Sequence, residues 1–167
     1  RGLSTITRSL DKLLEKQLLS SDDRQATLNR LQATIDASNL APCDLIIEAI
    51  VESVNAKREV FQAVEPLVAP HTLLCSNTSS VCITELAAST RRPDKFAGLH
   101  FFSPVPIMSL VEVIRGLSTS DETYDRVFTF AKVLGKQPVT APDRPGFIVN
   151  RLLIPYLLSA IRAYENG

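Results

Sequence analysis

The sequence lacks an excess of charge of either sign, since 18 lysines and arginines balance 18 aspartates and glutamates among its 167 residues. Attraction to a phosphate backbone or to anionic lipid over long distances requires a basic domain, and this chain has no net positive charge. We therefore expect neither a nucleic acid nor a membrane partner.

Cysteine is scarce as well. The three cysteines, Cys43, Cys75 and Cys82, form no CxxC pattern and no cysteine and histidine spacing typical of a metal site. An odd number of cysteines suits a reducing compartment better than a secreted domain held by disulfides. We expect three buried thiols, no bound metal and an intracellular protein.

No apolar run reaches the roughly 18 residues of a membrane span, and the N-terminus has no signal-peptide core. Apolar residues nevertheless make up 45% of the chain, which is enough to build the core of one domain, with or without part of a second. The chain opens at Arg1 directly into a helical pattern, without a Met or a preceding strand. We expect it to be part of a longer protein.

The first 40 residues carry two helical signals. Leucines and isoleucines recur at spacings of three and four over residues 3–18, which is the period of an amphipathic helix. Ser20 and Ser21 offer an N-cap, and the acids that follow suit the first turn of a second helix. A surface hairpin of two helices is predicted.

From residue 44 the pattern alternates between strands and helices. The segments DLIIEAIV, TLLCSN, KFAGLHFF, LVEVIR and QPVTAP predict strands, and helices are expected at residues 55–68, in ITELAAS and in DETYDRVFTFAKVLG, where Gly135 ends the helix. Apolar runs such as DLIIEAIV are typical of strands covered on both faces. The fold class is therefore α/β, with a parallel sheet whose ligands bind at the carboxyl ends of strands.

The last segment, FIVNRLLIPYLLSAIRAYENG, has apolar residues on nearly every side of a helix. A helix of this kind must be buried by a partner. We interpret residues 146–167 as the opening helix of a second, helical domain, with a kink at Pro155.

His100 and Glu112 lie on consecutive predicted strands and are the strongest candidates for chemistry. If the two strands are neighbours, the carboxylate can bind one ring nitrogen, fix the tautomer and strengthen the other nitrogen as a general base. The alternative is a structural histidine and a strand glutamate that never meet, and the spacing alone favours it slightly.

Three further groups have both a functional and a structural interpretation. The SNTSS segment at residues 76–80 follows a buried strand, where cofactors bind, but its composition slightly favours a capping turn for the helix that starts near Ile83. Asn150 lies in an apolar helix, where an unpaired amide costs about 1–3 kcal/mol, so it serves either in catalysis or in packing between domains. Glu52 and Lys57 follow a strand where a ribose or pyrophosphate could lie, although taken alone they indicate a solvated loop.

Taken in order, the segments AIVES, SNTSS, GLHFFSPVPIMSLVEVI and PGFIVNRLL closely resemble the L-3-hydroxyacyl-CoA dehydrogenase family. The resemblance runs from about residue 1 to residue 167. It implies a Rossmann-like NAD domain over residues 1–145 with the helical hairpin as an insertion, then the start of an all-helical dimerisation domain over residues 146–167. The implied reaction is the NAD-dependent oxidation of the 3-hydroxyl of an acyl-CoA to a ketone, in the bacterial cytoplasm or the mitochondrial matrix.

The resemblance also assigns residues. It implies that His100 is the base and Glu112 its orienting partner, with Ser79 and Asn150 holding the substrate oxygen and the nicotinamide. Residues matching the NAD site are Glu52, Lys57, Asn77, Ser79 and Ser103, and those matching contacts to CoA are Ser9, Lys16 and Ser79. A homodimer formed through the C-terminal domain is implied too.

Two departures from the family pattern stand out. Many members have Asn where this chain has Ser103. The family's first strand, its GxGxxG loop and the acid ending its second strand have no counterpart here, and these groups hold the pyrophosphate and the adenosine ribose. Without them, poor affinity for NAD is expected.

Two competing hypotheses remain. A relative acting on a free hydroxy acid or sugar acid, as the L-gulonate dehydrogenases called lambda-crystallins do, shares this scaffold. The pair Lys12 and Lys16 instead suits the anionic phosphates of CoA. A non-catalytic remnant is the third possibility, which the presence of both His100 and Glu112 disfavours.

Overall fold

The structure is a computed structural model, and it describes residues 2–167. The helices are α1 (Gly2–Glu15), α2 (Ser21–Asn29), α3 (Val54–Val64), α4 (Ile83–Ala87), α5 (Asp121–Val133) and α6 (Val149–Glu165). The strands are β1 (Leu45–Glu48), β2 (Leu73–Ser76), β3 (Phe96–Phe101), β4 (Leu110–Arg115) and β5 (Gln137–Pro142). The chain divides into two compact units, one ending at Asn39 and the other spanning Leu40–Gly167.

The first unit contains the predicted hairpin of α1 and α2. Ser20 caps α2, because its hydroxyl accepts a hydrogen bond from the backbone N–H of Asp23 at 3.1 Å. An ion pair between Arg24 and Asp11, 2.7 Å long, joins the two helices. Both helices are confirmed, and α1 begins and ends within three residues of the predicted range.

The second unit is built on a five-stranded sheet in the order β1-β2-β3-β4-β5. Strands β1, β2 and β3 are parallel, β4 runs antiparallel to β3, and β5 is parallel to β4. All five strands were predicted, and the α/β Rossmann-like class with a mostly parallel sheet is confirmed. The reversal at β4 follows from the connection between β3 and β4, which contains no crossover helix.

Helices cover both faces of the sheet. On one face, side chains of α3 and α4 such as Phe61 and Leu86 pack with Leu74 and Ile114 of the strands. On the other face, Val127 and Ala131 of α5 form a second cluster. Burial on both faces explains the continuous apolar runs of β2, β3 and β4, and it supplies most of the favourable free energy of folding.

Turn chemistry fixes the ends of α5. The hydroxyl of Ser120 accepts a hydrogen bond from the N–H of Thr123 at 3.1 Å, and Asp121 and Glu122 occupy the first turn. Gly135, with a φ of +73°, terminates the helix as predicted, since this left-handed conformation is costly for other residues.

Two predictions about burial were wrong. β1 is only four residues long and its buried and exposed residues alternate, with Ile47 37% exposed, because the strand pairs with β2 alone among the described strands. The cysteines are not all buried either. Cys75 is buried and its desolvation raises its pKa to about 12, but Cys43 is half-buried and Cys82 is exposed.

Within residues 2–167, no helix combines the length and the apolar character needed to cross a bilayer.

Gly98 on β3 gives a test of the packing between the sheet and α4. A Cβ atom at this position would lie 2.8 Å from Cβ of Ile114 and 2.9 Å from Cδ1 of Ile83. We expect Gly98→Ala to lower the free energy of unfolding by about 1–3 kcal/mol, the usual cost of overpacking a core. Urea unfolding measures the loss of stability. Gly2→Ala is the control, because a Cβ atom at that position would meet no atom within 4 Å. Equal stability of the two variants would show that the sheet and α4 can separate at no cost.

Candidate active site

The candidate site lies at one edge of the sheet. The carboxyl ends of β1, β2 and β3 meet there, and the antiparallel β4 brings its amino end to the same edge. In this register His100 of β3 is the direct cross-strand partner of Glu112 on β4. Two residues twelve positions apart in sequence thus face each other across one pair of strands.

His100 and Glu112 form a buried hydrogen-bonded pair. Nδ1 of His100 lies 2.7 Å from Oε2 of Glu112, and the two residues are 4% and 0% exposed. Because a carboxylate only accepts, Nδ1 carries the proton and donates it, so Nε2 of the neutral imidazole is an acceptor. Nε2 has no hydrogen-bond partner in the part of the chain that the structure describes.

The second carboxylate oxygen of Glu112 binds the beginning of α6. Oε1 accepts hydrogen bonds from the backbone N–H groups of Ile148 and Val149, at 3.0 and 2.9 Å. These groups have no acceptor within the helix, and the positive end of the helix dipole favours an anion there. Glu112 therefore fixes both the imidazole and the helix that carries Asn150.

Two phenyl rings flank the imidazole. The ring centroid of Phe102 lies 4.5 Å from that of His100, and that of Phe147 lies 5.6 Å away. Phe147 is 1% exposed and adopts a φ of +49°, an unusual conformation for a residue with a bulky side chain. Strain of this kind persists only where the surrounding structure fixes it, and it occurs most often at functional sites.

Ser79 and Asn150 line a common cavity of about 440 Å³, together with Pro145, Gly146 and residues of α6. Both side chains are partly buried. Neither the Ser79 hydroxyl nor the Asn150 amide has a hydrogen-bond partner among residues 2–167. The loop after β2 and the start of α6 thus bring together the two residues to which the family resemblance assigns the substrate oxygen and the nicotinamide.

The carboxylate of Glu52 organises the loop that carries Ser79. Its Oε1 accepts hydrogen bonds from the backbone N–H groups of Ser79 and Ser80, at 2.9 and 3.1 Å, and from the hydroxyl of Thr78 at 2.5 Å. Partial burial works to raise the pKa of Glu52, but hydrogen bonds from Thr78, Lys57 and Ser79 outweigh it and lower the pKa to about 2. The loop is held by an anion at neutral pH.

Lys57 connects Glu52 to a third carboxylate. Its Nζ lies 3.1 Å from Oε2 of Glu52 and 2.8 Å from Oε1 of Glu48, and Lys57 and Glu48 are 1% and 3% exposed. Taken alone, Glu52 and Lys57 indicated a solvated loop. This interpretation holds for Glu52, which is exposed in the loop after β1, but it is wrong for Lys57, which belongs to α3 and whose ammonium group is enclosed. Its two ion pairs compensate for the loss of water.

Asn77 ties the ends of two strands together. Its Oδ1 accepts a hydrogen bond from the N–H of Phe101 at 2.9 Å, and its own N–H donates to the carbonyl of Glu48 at 2.8 Å. The amide nitrogen of its side chain binds no described residue. Ser103, by contrast, is exposed in the loop after β3, and the structure gives its side chain no partner within the described chain.

The capping interpretation of SNTSS is wrong, because the cap of α4 comes from elsewhere. Asp143 accepts hydrogen bonds from the N–H groups of Ile83 and Thr84 at 2.9 and 2.8 Å. Burial works to raise the pKa of Asp143, but the hydrogen bonds from Thr84 and Ile83 lower it overall. No side chain of SNTSS is therefore needed to cap α4, and Ser79 and Ser80 of this segment line the cavity.

Ser9 and Lys16 belong to the first unit. Ser9 lies in α1, and its hydroxyl donates to the carbonyl of Thr5 at 3.0 Å. Lys16 follows the last residue of α1 and is exposed, as is Lys12 one turn earlier. Both lysines are accessible to an anion.

Sequence reasoning missed Glu48, Asp143 and Phe147. Glu48 lies in an otherwise apolar strand, and a buried carboxylate there requires a charged or hydrogen-bonding partner. Its position in the sequence could therefore have indicated a buried ion pair. Phe147 follows Gly146 in a turn, but nothing in its residue type predicts a left-handed conformation. Among residues 2–167, no group of histidine, cysteine and acidic side chains could hold a metal ion.

Comparison with known proteins identifies the family of this chain. Residues 1–144 match the family model described as 3-hydroxyacyl-CoA dehydrogenase, NAD binding domain. The chain is 48% identical over 168 residues to human mitochondrial hydroxyacyl-coenzyme A dehydrogenase and 44% identical over 165 residues to 3-hydroxybutyryl-CoA dehydrogenase of Clostridioides difficile. The chain therefore belongs to the 3-hydroxyacyl-CoA dehydrogenase family, as its motifs predicted.

A solved structure gives the same result. The crystal structure of (S)-3-hydroxybutyryl-CoA dehydrogenase PaaH1 from Ralstonia eutropha superposes with a TM-score of 0.97 at 42% identity, covering 99% of this chain and 59% of that one. The match to the human relative includes 97% of this chain and 54% of that protein. The match to the Clostridioides difficile relative includes 99% of this chain and 59% of that protein. The chain thus spans little more than half the length of these relatives.

The cofactor of this domain family is NAD, as the sequence predicted. The residues present fit it, because the Asn77 amide nitrogen, the Ser79 hydroxyl and the Asn150 amide are polar groups without partners among the described residues. Asn77 lies at the carboxyl ends of the strands, and Ser79 and Asn150 line the cavity. The carboxamide and the ribose hydroxyls of NAD require hydrogen-bonding partners of this kind. The enclosed ammonium of Lys57 fits an indirect role instead.

Glu52 makes the stability of this region dependent on pH. Its pKa is lowered from 4.5 to about 2, so its contribution is complete above 4.5 and is lost as the pH falls toward 2. We expect Glu52→Gln to be less stable than the unchanged protein at pH 7 and to lose less stability between pH 5 and pH 2.5. Urea unfolding over this range measures it, with Glu59→Gln, an exposed acid of α3, as the control. Parallel stability curves for Glu52→Gln and the unchanged protein would contradict the role of Glu52.

Proposed function

We propose that this chain is the catalytic, NAD-binding part of an enzyme that oxidises the 3-hydroxyl of (S)-3-hydroxyacyl-CoA to a ketone. The observation that carries the proposal is the buried pair of His100 and Glu112 with a ring nitrogen left without a partner. Membership of the dehydrogenase family supports it. The names of two relatives, hydroxyacyl-coenzyme A dehydrogenase and 3-hydroxybutyryl-CoA dehydrogenase, support an acyl-CoA substrate.

In this proposal His100 is the general base. Nε2 takes the proton of the 3-hydroxyl while the hydride leaves C3, so the C3–O bond becomes a carbonyl. Glu112 stabilises the imidazolium that forms, because its carboxylate already accepts the hydrogen bond of Nδ1. NAD, when bound, supplies the acceptor of the hydride.

Ser79 and Asn150 position the reactants. Their unpartnered hydroxyl and amide line the same cavity, so they can hold the substrate oxygen and the carboxamide of the cofactor. Glu52 holds the Ser79 loop through the N–H groups of Ser79 and Ser80. Asn77 and Ser103 contact the cofactor in this proposal, and Lys57 acts through Glu52.

The remaining assignments rest on the family resemblance. We propose that Ser9 and Lys16 contact the CoA moiety, since Lys16 is exposed and an ammonium group suits a phosphate. We also propose that residues 146–167 begin a helical domain through which the protein forms a homodimer. The exposure of Leu152 and Ile161 on α6, 69% and 54%, supports this because large apolar side chains on one helix favour a covering partner.

The test is the substitution His100→Gln in the full-length protein. We expect turnover of (S)-3-hydroxybutyryl-CoA to fall by roughly 10² to 10⁴, the usual contribution of a general base, while NAD affinity changes little. Steady-state kinetics and calorimetric titration with NAD measure the two effects. His71→Gln is a matched control, because His71 is exposed and its ring pairs with Asp44 alone among residues 2–167.

Two results would refute the proposal. An equal loss of NAD affinity in His100→Gln would mark His100 as a structural residue. Turnover of a free hydroxy acid or sugar acid in preference to the acyl-CoA would instead assign the chain to the lambda-crystallin type of dehydrogenase.

A further inference from the structure

Residues 102–109, which we name the β3–β4 loop, connect the strand of His100 with the strand of Glu112. The loop begins at Phe102, whose ring centroid lies 4.5 Å from that of His100. The position of this loop therefore determines one wall of the candidate site.

Apolar burial does little to hold the loop. Its side chains Val105, Ile107 and Met108 are 45%, 78% and 39% exposed. Within the loop, the N–H groups of Ile107 and Met108 donate to the carbonyl of Pro104, both at 3.0 Å. These hydrogen bonds give the loop a local turn but do not attach it to the rest of the unit.

Lys136 makes that attachment. Its Nζ donates to the carbonyls of Val105 and Met108, at 2.5 and 2.8 Å, across 31 and 28 residues of sequence. The backbone of Lys136 is fixed, because its N–H donates to the carbonyl of Ala131 at the end of α5. The N–H of Gln137 donates to the carbonyl of Ser109 and so anchors the last residue of the loop, whereas Lys136 holds its middle. Lys136 forms no ion pair with any carboxylate of residues 2–167.

We propose that Lys136 is a positioning residue of the candidate active site. It holds the β3–β4 loop and, through Phe102, the orientation of the His100 ring. Hydrogen bonds from a charged donor are stronger than neutral ones, and two of them converge on a loop with little packing. The effect on the loop follows from the contacts alone, whereas the effect on catalysis rests on the function proposed above.

Hydrogen exchange in the full-length protein tests the structural part. In Lys136→Met, which keeps most of the apolar stem, we expect the amides of Ile107 and Met108 to exchange roughly tenfold faster or more, with β3 and β4 unaffected. Lys132→Met, which removes a charge from the nearby α5, should leave the loop unchanged. Unaltered exchange in Lys136→Met, or faster exchange spread equally over the strands, would overturn the proposal.

The catalytic part is tested by rescue. We expect Lys136→Met to lower kcat roughly tenfold while the pH profile of kcat keeps its shape, because the His100 and Glu112 pair remains. Lys136→Arg retains charged donors and should recover much of the loss in kcat and in loop protection. An arginine variant no better than the methionine variant would overturn the proposal. Absence of acyl-CoA oxidation by the unchanged protein would refute the proposed function instead, and the exchange experiment would still decide the role of Lys136 in the loop.

Discussion

The carboxylate of Glu112 is the interaction on which the rest of the site depends. It has no exposure to water, and its two oxygens accept hydrogen bonds from His100 and from the first N–H groups of α6. A buried charge is tolerable only when it is fully compensated, and removing one partner of such a group typically costs about 3–5 kcal/mol. Strand β4, the imidazole and the helix that carries Asn150 are therefore held in one arrangement by a single side chain. Because the same carboxylate also fixes the ring tautomer, stability and reactivity at this position have a common origin.

A second, partly buried network of charged side chains holds the loop that carries Ser79. Glu48 and Glu52 share the ammonium group of Lys57, and Glu52 in turn holds the amides of the Ser79 loop. Loops at the carboxyl edge of a sheet lack the ladder hydrogen bonds that fix strands, so their backbone donors need other acceptors. Here carboxylates on β1 and just after it provide them. In the β3–β4 loop the roles of donor and acceptor are exchanged, because the ammonium group of Lys136 donates hydrogen bonds to two backbone carbonyls.

The use of charged side chains to hold strands and loops at the site explains why the core contains polar residues. Helices cover both faces of the sheet with apolar side chains, yet Glu48, Lys57, His100 and Glu112 are also buried. Each of them lies at or near the sheet edge where the ligand is proposed to bind. Charges without access to water keep their orientation better than exposed ones, because neither solvent nor salt competes for their partners. Positioning groups of this kind suit a reaction that transfers a hydride and a proton between fixed atoms.

The sequence by itself determined the five strands, their order along the chain, the α/β class and, through its motifs, the family, because apolar periodicity and short motifs are local properties. It also proposed His100 and Glu112 but could not decide whether they meet, since pairing depends on which strands become neighbours. Only the tertiary structure decided that β4 runs antiparallel to β3, that Lys57 is enclosed rather than solvated, and that Cys82 is exposed. The same holds for Lys136, whose two carbonyl partners lie about thirty residues away. Contacts of this range arise when the sheet assembles, and no local pattern of residue types encodes them.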